Sequence, residues 1–253
     1  MLRLRQICLA VPRLDAVVED LQAIFGLSVC HRDAGLAGYG LHNALLPLGT
    51  DFLEVVAPLQ GDTAAGRFIQ RSRGHGGYMA IFQVDDPQTG QSRAAARGVR
   101  TAHRIDHADY QSVQLHPRDC RAAFIELGHS RGDSARLGAW WPAGPQWQRH
   151  VRSQHSKRLL GIRLESPEPA ALAALWSAIL DRPLANGHLP QLHIEHARID
   201  FEPGANAALG TVMLAVADPA ATLQRAIDRG LRVEADGRFH LGGVYFQPLA
   251  DAG

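Results

Sequence analysis

Four times along the chain a short apolar run meets a proline, at its end or a few residues on, and gives way to a helical pattern. The runs are Ile7–Val11 before Pro12, Ala80–Val84 before Pro87, Ile162–Ser166 before Pro167, and Val212–Val216 before Pro219. A repeat of this length constrains the fold more than any single element, because each copy is one supersecondary unit that must bury its face against another. Each run reads as a strand that the proline ends, and proline then suits the first turn of a helix, where its missing N–H costs nothing. Leu14, Val17, Val18, Leu21 and Ile24 share one face of the first helical segment, and Leu172, Leu175, Trp176, Ile179 and Leu180 make a stripe on the third. Glycine closes three of the four. Val11 to Gly26, Val84 to Gly98 and Val216 to Gly230 are 15, 14 and 14 positions apart.

Strand-like segments follow each helix. They are Leu27–Cys30, Leu41–Pro47 and Asp51–Val56 in the first unit, and Val99–His103, Ser112–Leu115 and Ala122–Leu127 in the second. The third offers Gln191–Ile194 and Arg198–Phe201, the fourth Leu231–Glu234 and Val244–Phe246. The expected class is α+β, built from four βαβββ modules paired into two curved-sheet barrels. The expected boundaries are an N-terminal domain over 1–130 (modules 1–56 and 77–130), a connector over 131–157, and a C-terminal domain over 158–251. The connector carries Trp140, Trp141 and Trp147 with Pro142 and Pro145. It reads as a segment pinned onto the two halves, or as the wall or lid of a pocket.

Composition removes several classes of function. The 253 residues hold 26 basic and 25 acidic side chains, no excess of charge to draw nucleic acid or an acidic membrane. No stretch of 18 uncharged apolar residues and no signal-peptide pattern occurs, so a cytoplasmic location is the default expectation. Cys8, Cys30 and Cys120 form neither a disulfide framework nor a thiolate metal site. A Rossmann fingerprint, a phosphate loop, H-E-x-x-H, C-x-x-C and a serine-nucleophile elbow are all missing.

Polar residues in strand-like surroundings are the candidates for chemistry. Gln6 alternates onto the face of Cys8 and Ala10, and Glu54 onto that of Phe52 and Val56. Either group is costly to bury without a partner. His42 and Asn43 precede an apolar strand, where Asn43 could anchor a turn or read a substrate carbonyl. Arg67 and Arg71 would share one face of a short helix. The stretch Gly74-His75-Gly76-Gly77-Tyr78 permits a close turn and could bring the Tyr78 hydroxyl into a pocket. His116-Pro117-Arg118-Asp119 is the densest polar cluster. His116 is a candidate proton carrier, Arg118 a fork for an anion, and Asp119 a group to orient either; the alternative is an Arg–Asp pair closing a turn.

The segments LRQICLAVPRLDAVVEDLQAIFGL and GLHNALLPLGTDFLEVVAP, with TAAGRF, GGYM and the stretch from GGYMAIFQVDD to HPRDCRAAFIELG, resemble the vicinal oxygen chelate superfamily. That superfamily includes glyoxalase I, extradiol dioxygenases and bleomycin-resistance proteins, and the likeness is greatest to bacterial glyoxalase-like proteins without an assigned reaction. It is good over 1–130 and weaker over 158–251. It implies paired βαβββ modules and a pocket in each curved sheet. Matching the metal-dependent members strand by strand implies Gln6, Glu54 and Glu126 as ligands of one divalent ion, such as zinc, nickel, manganese, cobalt or iron. Met79 stands at the fourth position, usually a histidine, and its soft thioether favours a metal-free site; His75 could complete the set. In the second pair the matching positions fall near Gly161, Thr211 and Gln247, with His193, Glu195 and His196 nearby, so the iron triad of ring-cleaving members is not expected.

These residues lead to a small-molecule enzyme, a lyase or isomerase acting on an oxygenated metabolite. Glu126 or Glu54 would move a proton if a metal is held, and His116 would do so beside Arg118 if none is. His42, Asn43, Tyr78, Arg118 and Asp119 are the expected substrate contacts. One alternative is a sequestration protein of the bleomycin-resistance type. Another is a structural homodimer with a vestigial pocket.

Overall fold

The computed structural model describes residues 1–132, 135–185 and 187–251. Four copies of one module make up the chain, and the class is α+β as the repeat implies. The first module holds β1 (Leu2–Ala10), α1 (Leu14–Phe25), β2 (Leu41–Leu48), β3 (Asp51–Pro58) and α2 (Ala64–Ser72). The second holds β4 (Gly77–Val84), α3 (Pro87–Ala95), β5 (Thr101–His107), β6 (Tyr110–Leu115), the one-turn α4 (Pro117–Cys120) and β7 (Phe124–Ser130). The third holds β8 (Ser156–Ser166), α5 (Pro169–Leu180), β9 (Leu184–Ala185), β10 (Gln191–Ile194) and β11 (Ala197–Pro203). The fourth holds β12 (Ala208–Val216), α6 (Pro219–Asp228), β13 (Phe239–Leu241) and β14 (Val244–Ala250).

The first strand of the second, third and fourth modules pairs in parallel with that module's last strand, β4 with β7, β8 with β11 and β12 with β14. A parallel pair needs a long crossover, and the intervening helix supplies it. The remaining strands follow as antiparallel hairpins, β5–β6–β7 and β10–β11. Helix starts follow the punctuation in the sequence. Asp86 and Asp218 accept backbone N–H bonds at the starts of α3 and α6, each just before a proline in the first turn. Gly26, Gly98 and Gly230 take the left-handed conformation after their helices, at φ 67°, 75° and 80°. In the third module, which has no such glycine, Asp181 takes that role at φ 53°.

Two expected strands shrink to single bridges, His31 with Leu45 and Val233 with Phe239. In the first case the chain leaves the sheet early. Asp33 donates its N–H to Asn43 Oδ1 and its side chain caps a 3-10 turn over Ala34–Tyr39. The strands β9, of two residues, and β13, of three, are too short for alternation to mark them.

The chain gathers into two compact units. One contains Met1–Gln6, Met79–Trp141 and Gly161–Gly210; the other contains Ile7–Tyr78, Pro142–Leu160 and Thr211–Gly253. The first therefore combines the second and third modules, and the other the first and fourth, so each unit draws one module from each half of the sequence. In the first unit Trp176 of α5 stacks edge-on with Phe82 and Phe201 and donates its indole N–H to Cys120 O. Arg93 of α3 donates to Ile179 O at the end of α5. In the second unit Phe25, Phe239 and Phe246 form an aromatic cluster, while Arg225 of α6 donates to Ile24 O. The connector divides too. Residues up to Trp141 belong to the first unit and those from Pro142 to the second. Trp140 and Trp147 are each about 1% exposed, so these two side chains are part of the core, while Trp141 is 40% exposed.

Candidate functional site

In the first unit the expected positions Gln6 and Glu126 lie in one buried polar string. Gln6 is 1% exposed and its Oε1 accepts the Trp140 indole N–H at 2.7 Å. The Trp140 ring meets Tyr110 edge-on, with centroids 5.9 Å apart. Tyr110 donates its hydroxyl to Glu126 Oε1 at 2.7 Å, and Gln114 donates Nε2–H to Glu126 Oε2 at 2.9 Å. Strand register explains the convergence. Gln114 lies opposite Glu126, and Ser112 and Tyr110 follow on the same face opposite Gly128 and Ser130. Gly128 is required there, since a Cβ would crowd the Tyr110 ring and hydroxyl. Trp141 stacks flat on Tyr110 from above, at 5.4 Å.

Glu126 is thus a buried carboxylate with a donor on each oxygen, a preorganised acceptor in a mostly apolar surround. Tyr110 and Gln114 are not among the residues the sequence singles out, and Trp140 is singled out only as part of the connector. The alternation Tyr110, Ser112, Gln114 along one strand was the signal available.

In the second unit Asn43 and Glu54 meet. Asn43 Nδ2–H donates to Glu54 Oε1 at 2.7 Å while its Oδ1 holds the Asp33 N–H, so Asn43 both anchors a turn and contacts a candidate carboxylate. Glu54 shares its face with Phe52, against which Trp147 packs edge-on at 4.9 Å. Tyr78 is buried beside Phe68. Burial raises its hydroxyl pKa well above the ordinary tyrosine value; the nearby Cys8 and Glu54 add to this and Arg67 and Arg71 oppose it. His42 stands half-buried on β2, and His75 half-buried in the turn before β4. The Cys120 and Cys30 thiols are pushed up to about 12 by burial, so neither is a ready nucleophile.

The His116 cluster is arranged differently from the pairing the sequence offered. Asp119 pairs with Arg100, not with Arg118. Arg100 donates Nε–H at 2.8 Å, a terminal N–H at 2.9 Å and its backbone N–H at 3.0 Å. These bonds hold the Asp119 carboxyl far below the usual carboxylate range. His116 begins the one-turn α4, half-buried, with its Nδ1 3.4 Å from Arg100. Arg118 is exposed on that turn.

The proposed ligand set does not suit a divalent ion. The Gln6 oxygen holds an indole N–H, both Glu126 oxygens hold donors, and Met79 supplies only a thioether. Glu54 Oε1 accepts the Asn43 Nδ2–H. Among the described residues no group of three or more His, Cys, Asp or Glu side chains is placed to hold a metal ion.

A fourfold repeat of strand, helix and two or three further strands, with polar groups on the faces away from the helices, defines a protein of the vicinal oxygen chelate class. The chain belongs to the Glyoxalase-like domain family, whose model matches residues 7–180. It is 24% identical to human mitochondrial methylmalonyl-CoA epimerase over 128 residues, 49% of this chain and 72% of that protein. Two solved structures share the fold over most of the chain. A hypothetical protein from Staphylococcus aureus superposes with a TM-score of 0.66 at 14% identity, covering 98% of this chain and 100% of its own. A mutant 4-hydroxymandelate synthase from Streptomyces coelicolor gives 0.65 at 16% identity, covering 90% of this chain and 75% of its own. No helix among the described residues is long and apolar enough to cross a membrane.

Proposed function

We propose that this chain is a glyoxalase-like enzyme that moves a proton on a small oxygenated organic molecule, with Glu126 as the proton carrier. The observation that carries the reading is the Glu126 carboxylate, 4% exposed and held by Tyr110 and Gln114. The two donors fix the direction of the carboxylate, and a positioned carboxylate of this kind is what taking a proton from carbon requires. In this reading Glu126 accepts a proton from a carbon next to a carbonyl and returns it. Tyr110 and Gln114 act as positioning residues. His116, beside Arg100, is the second proton carrier, and Arg118 supplies charge for an anionic substrate. The epimerase relative suggests thioesters with an acidic α-hydrogen as the first substrates to try.

The test is exchange of the α-proton of methylmalonyl-CoA, and of a 2-hydroxy ketone, followed by NMR in D2O. The expected outcome is exchange catalysed by the wild type and slowed about 100-fold or more by Glu126→Gln. His116→Ala then separates the two carriers: a larger loss than from Glu126→Gln would move the role to His116. Exchange no faster than buffer for either substrate would overturn the reading. A second reading, a protein that sequesters a ligand unchanged, is favoured by Met79 and by the use of Gln6 to hold Trp140. It requires a ligand that binds tightly and is recovered chemically intact.

A further inference from the structure

We propose that the polar face of the β8–β11 sheet in the third module is a binding site for a small organic acid that also carries a hydroxyl or ammonium group. Its assignment does not depend on the proton transfer proposed above.

The strand register places Arg163 opposite Asp200, Glu165 opposite Glu202, and Gly161 opposite Arg198. Arg163, Glu165, Arg198, Asp200 and Glu202 therefore share one face. The alternate residues Ile162, Leu164, Ile199 and Phe201 are fully buried, and Phe201 packs edge-on with Trp176 of α5. A sheet face turned to water is also polar, but its charges are exposed. Here Asp200 is 6% exposed and the Arg163 side chain 21%, while the Arg198 side chain, at 42%, reaches the surface.

Asp200 gathers two guanidiniums by their Nε edges, Arg198 at 3.2 Å and Arg163 at 3.6 Å. Among the described residues Arg163 makes no hydrogen bond, and no hydrogen bond or ion pair reaches the Glu165 carboxylate. Glu165 nevertheless has a built resting place. It lies against Gly204 and Gly210; a Cβ at Gly204 would come within 2.6 Å of Glu165 Cβ, and one at Gly210 would collide with its carboxylate. Two residues apart on one strand, Arg163 and Glu165 stand about 7 Å apart at the backbone.

Recessed opposite charges without hydrogen-bond partners are expensive unless a ligand completes them. A guanidinium whose Nε edge is held by a carboxylate still offers its terminal N–H groups in the fork that suits a second carboxylate. A carboxylate about 7 Å along the strand accepts from a hydroxyl or ammonium on the same small molecule.

The experiment is an NMR titration of the full chain with L-lactate, L-alanine and acetate, observing the arginine Nε–H signals and the ligand. The expected result is that lactate or alanine binds more tightly than acetate and shifts the Arg163 and Arg198 signals; the tighter of the two identifies hydroxyl or ammonium. Arg163→Gln weakens all three about tenfold. Glu165→Gln brings lactate and alanine to the level of acetate and leaves acetate unchanged. Absence of binding to wild type, shifts confined to other arginines, or wild-type affinity in both variants would overturn the proposal. The wild-type shift map decides the matter even where a variant fails to fold.

Discussion

At the scale of single residues, Trp140 shows how a polar position can change its use. Its indole N–H takes the Gln6 oxygen that the family likeness assigns to a metal, and its ring backs Tyr110, which holds Glu126. Trp140→Phe keeps most of the ring but removes the indole bond to the buried Gln6 oxygen. It should cost about 1–3 kcal/mol in urea unfolding. An unchanged midpoint would mean that the bond does not contribute. Asp119 gives a second residue-scale expectation. Its carboxyl is more acidic folded than at its ordinary value of 3.8, first through the side-chain bonds from Arg100. As pH falls, the unfolded chain takes up the proton first. The pair therefore stabilises the fold above about pH 3.8, and that contribution fades as pH drops toward the folded value. Carbonyl NMR should find the Asp119 midpoint below 3.8 in the wild type, and Arg100→Gln should return it toward that value.

At the scale of elements, the repeat was legible because strand, proline and helix are local signals. The hydrophobic stripe of α1, the Asp–Pro starts of α3 and α6, and the glycines behind three helices all stand where the periodicity placed them. Strand ends were less legible. Leu27–Cys30 is apolar enough to pair further, but the Asp33–Asn43 bond turns the chain away, and that bond joins residues ten apart. Gly161 marks a backbone requirement within β8. It holds φ 146°, and a Cβ there would collide with the Arg198 carbonyl oxygen of β11. Gly161→Ala should destabilise by about 3 kcal/mol or more through strain and loss of the β8–β11 pairing, with thermal unfolding as the measurement. A neutral substitution would show that the strands can separate there at little cost.

At the scale of the whole molecule, the compact units take modules two with three and one with four. The sequence carried one hint of this. Helix α5, Pro169–Leu180, is almost entirely apolar, as a helix packed on more than one side must be. Trp176 is the centre of that packing, fully buried among Phe82, Phe201 and the Cys120 carbonyl. Trp176→Ala should cost about 3–5 kcal/mol, read as a lowered urea midpoint. A loss near 1 kcal/mol would mean that the neighbouring modules close over the gap. Sequence alone determined the four modules, their helices and the family, because these rest on periodicity and turn chemistry within some fifteen residues. Tertiary structure alone decided that Trp140 would occupy Gln6, that Arg100 would claim Asp119, and that Arg163 and Glu165 would share a recessed face. Each of those outcomes joins residues on different elements or sets the depth of a face, and no local pattern encodes either.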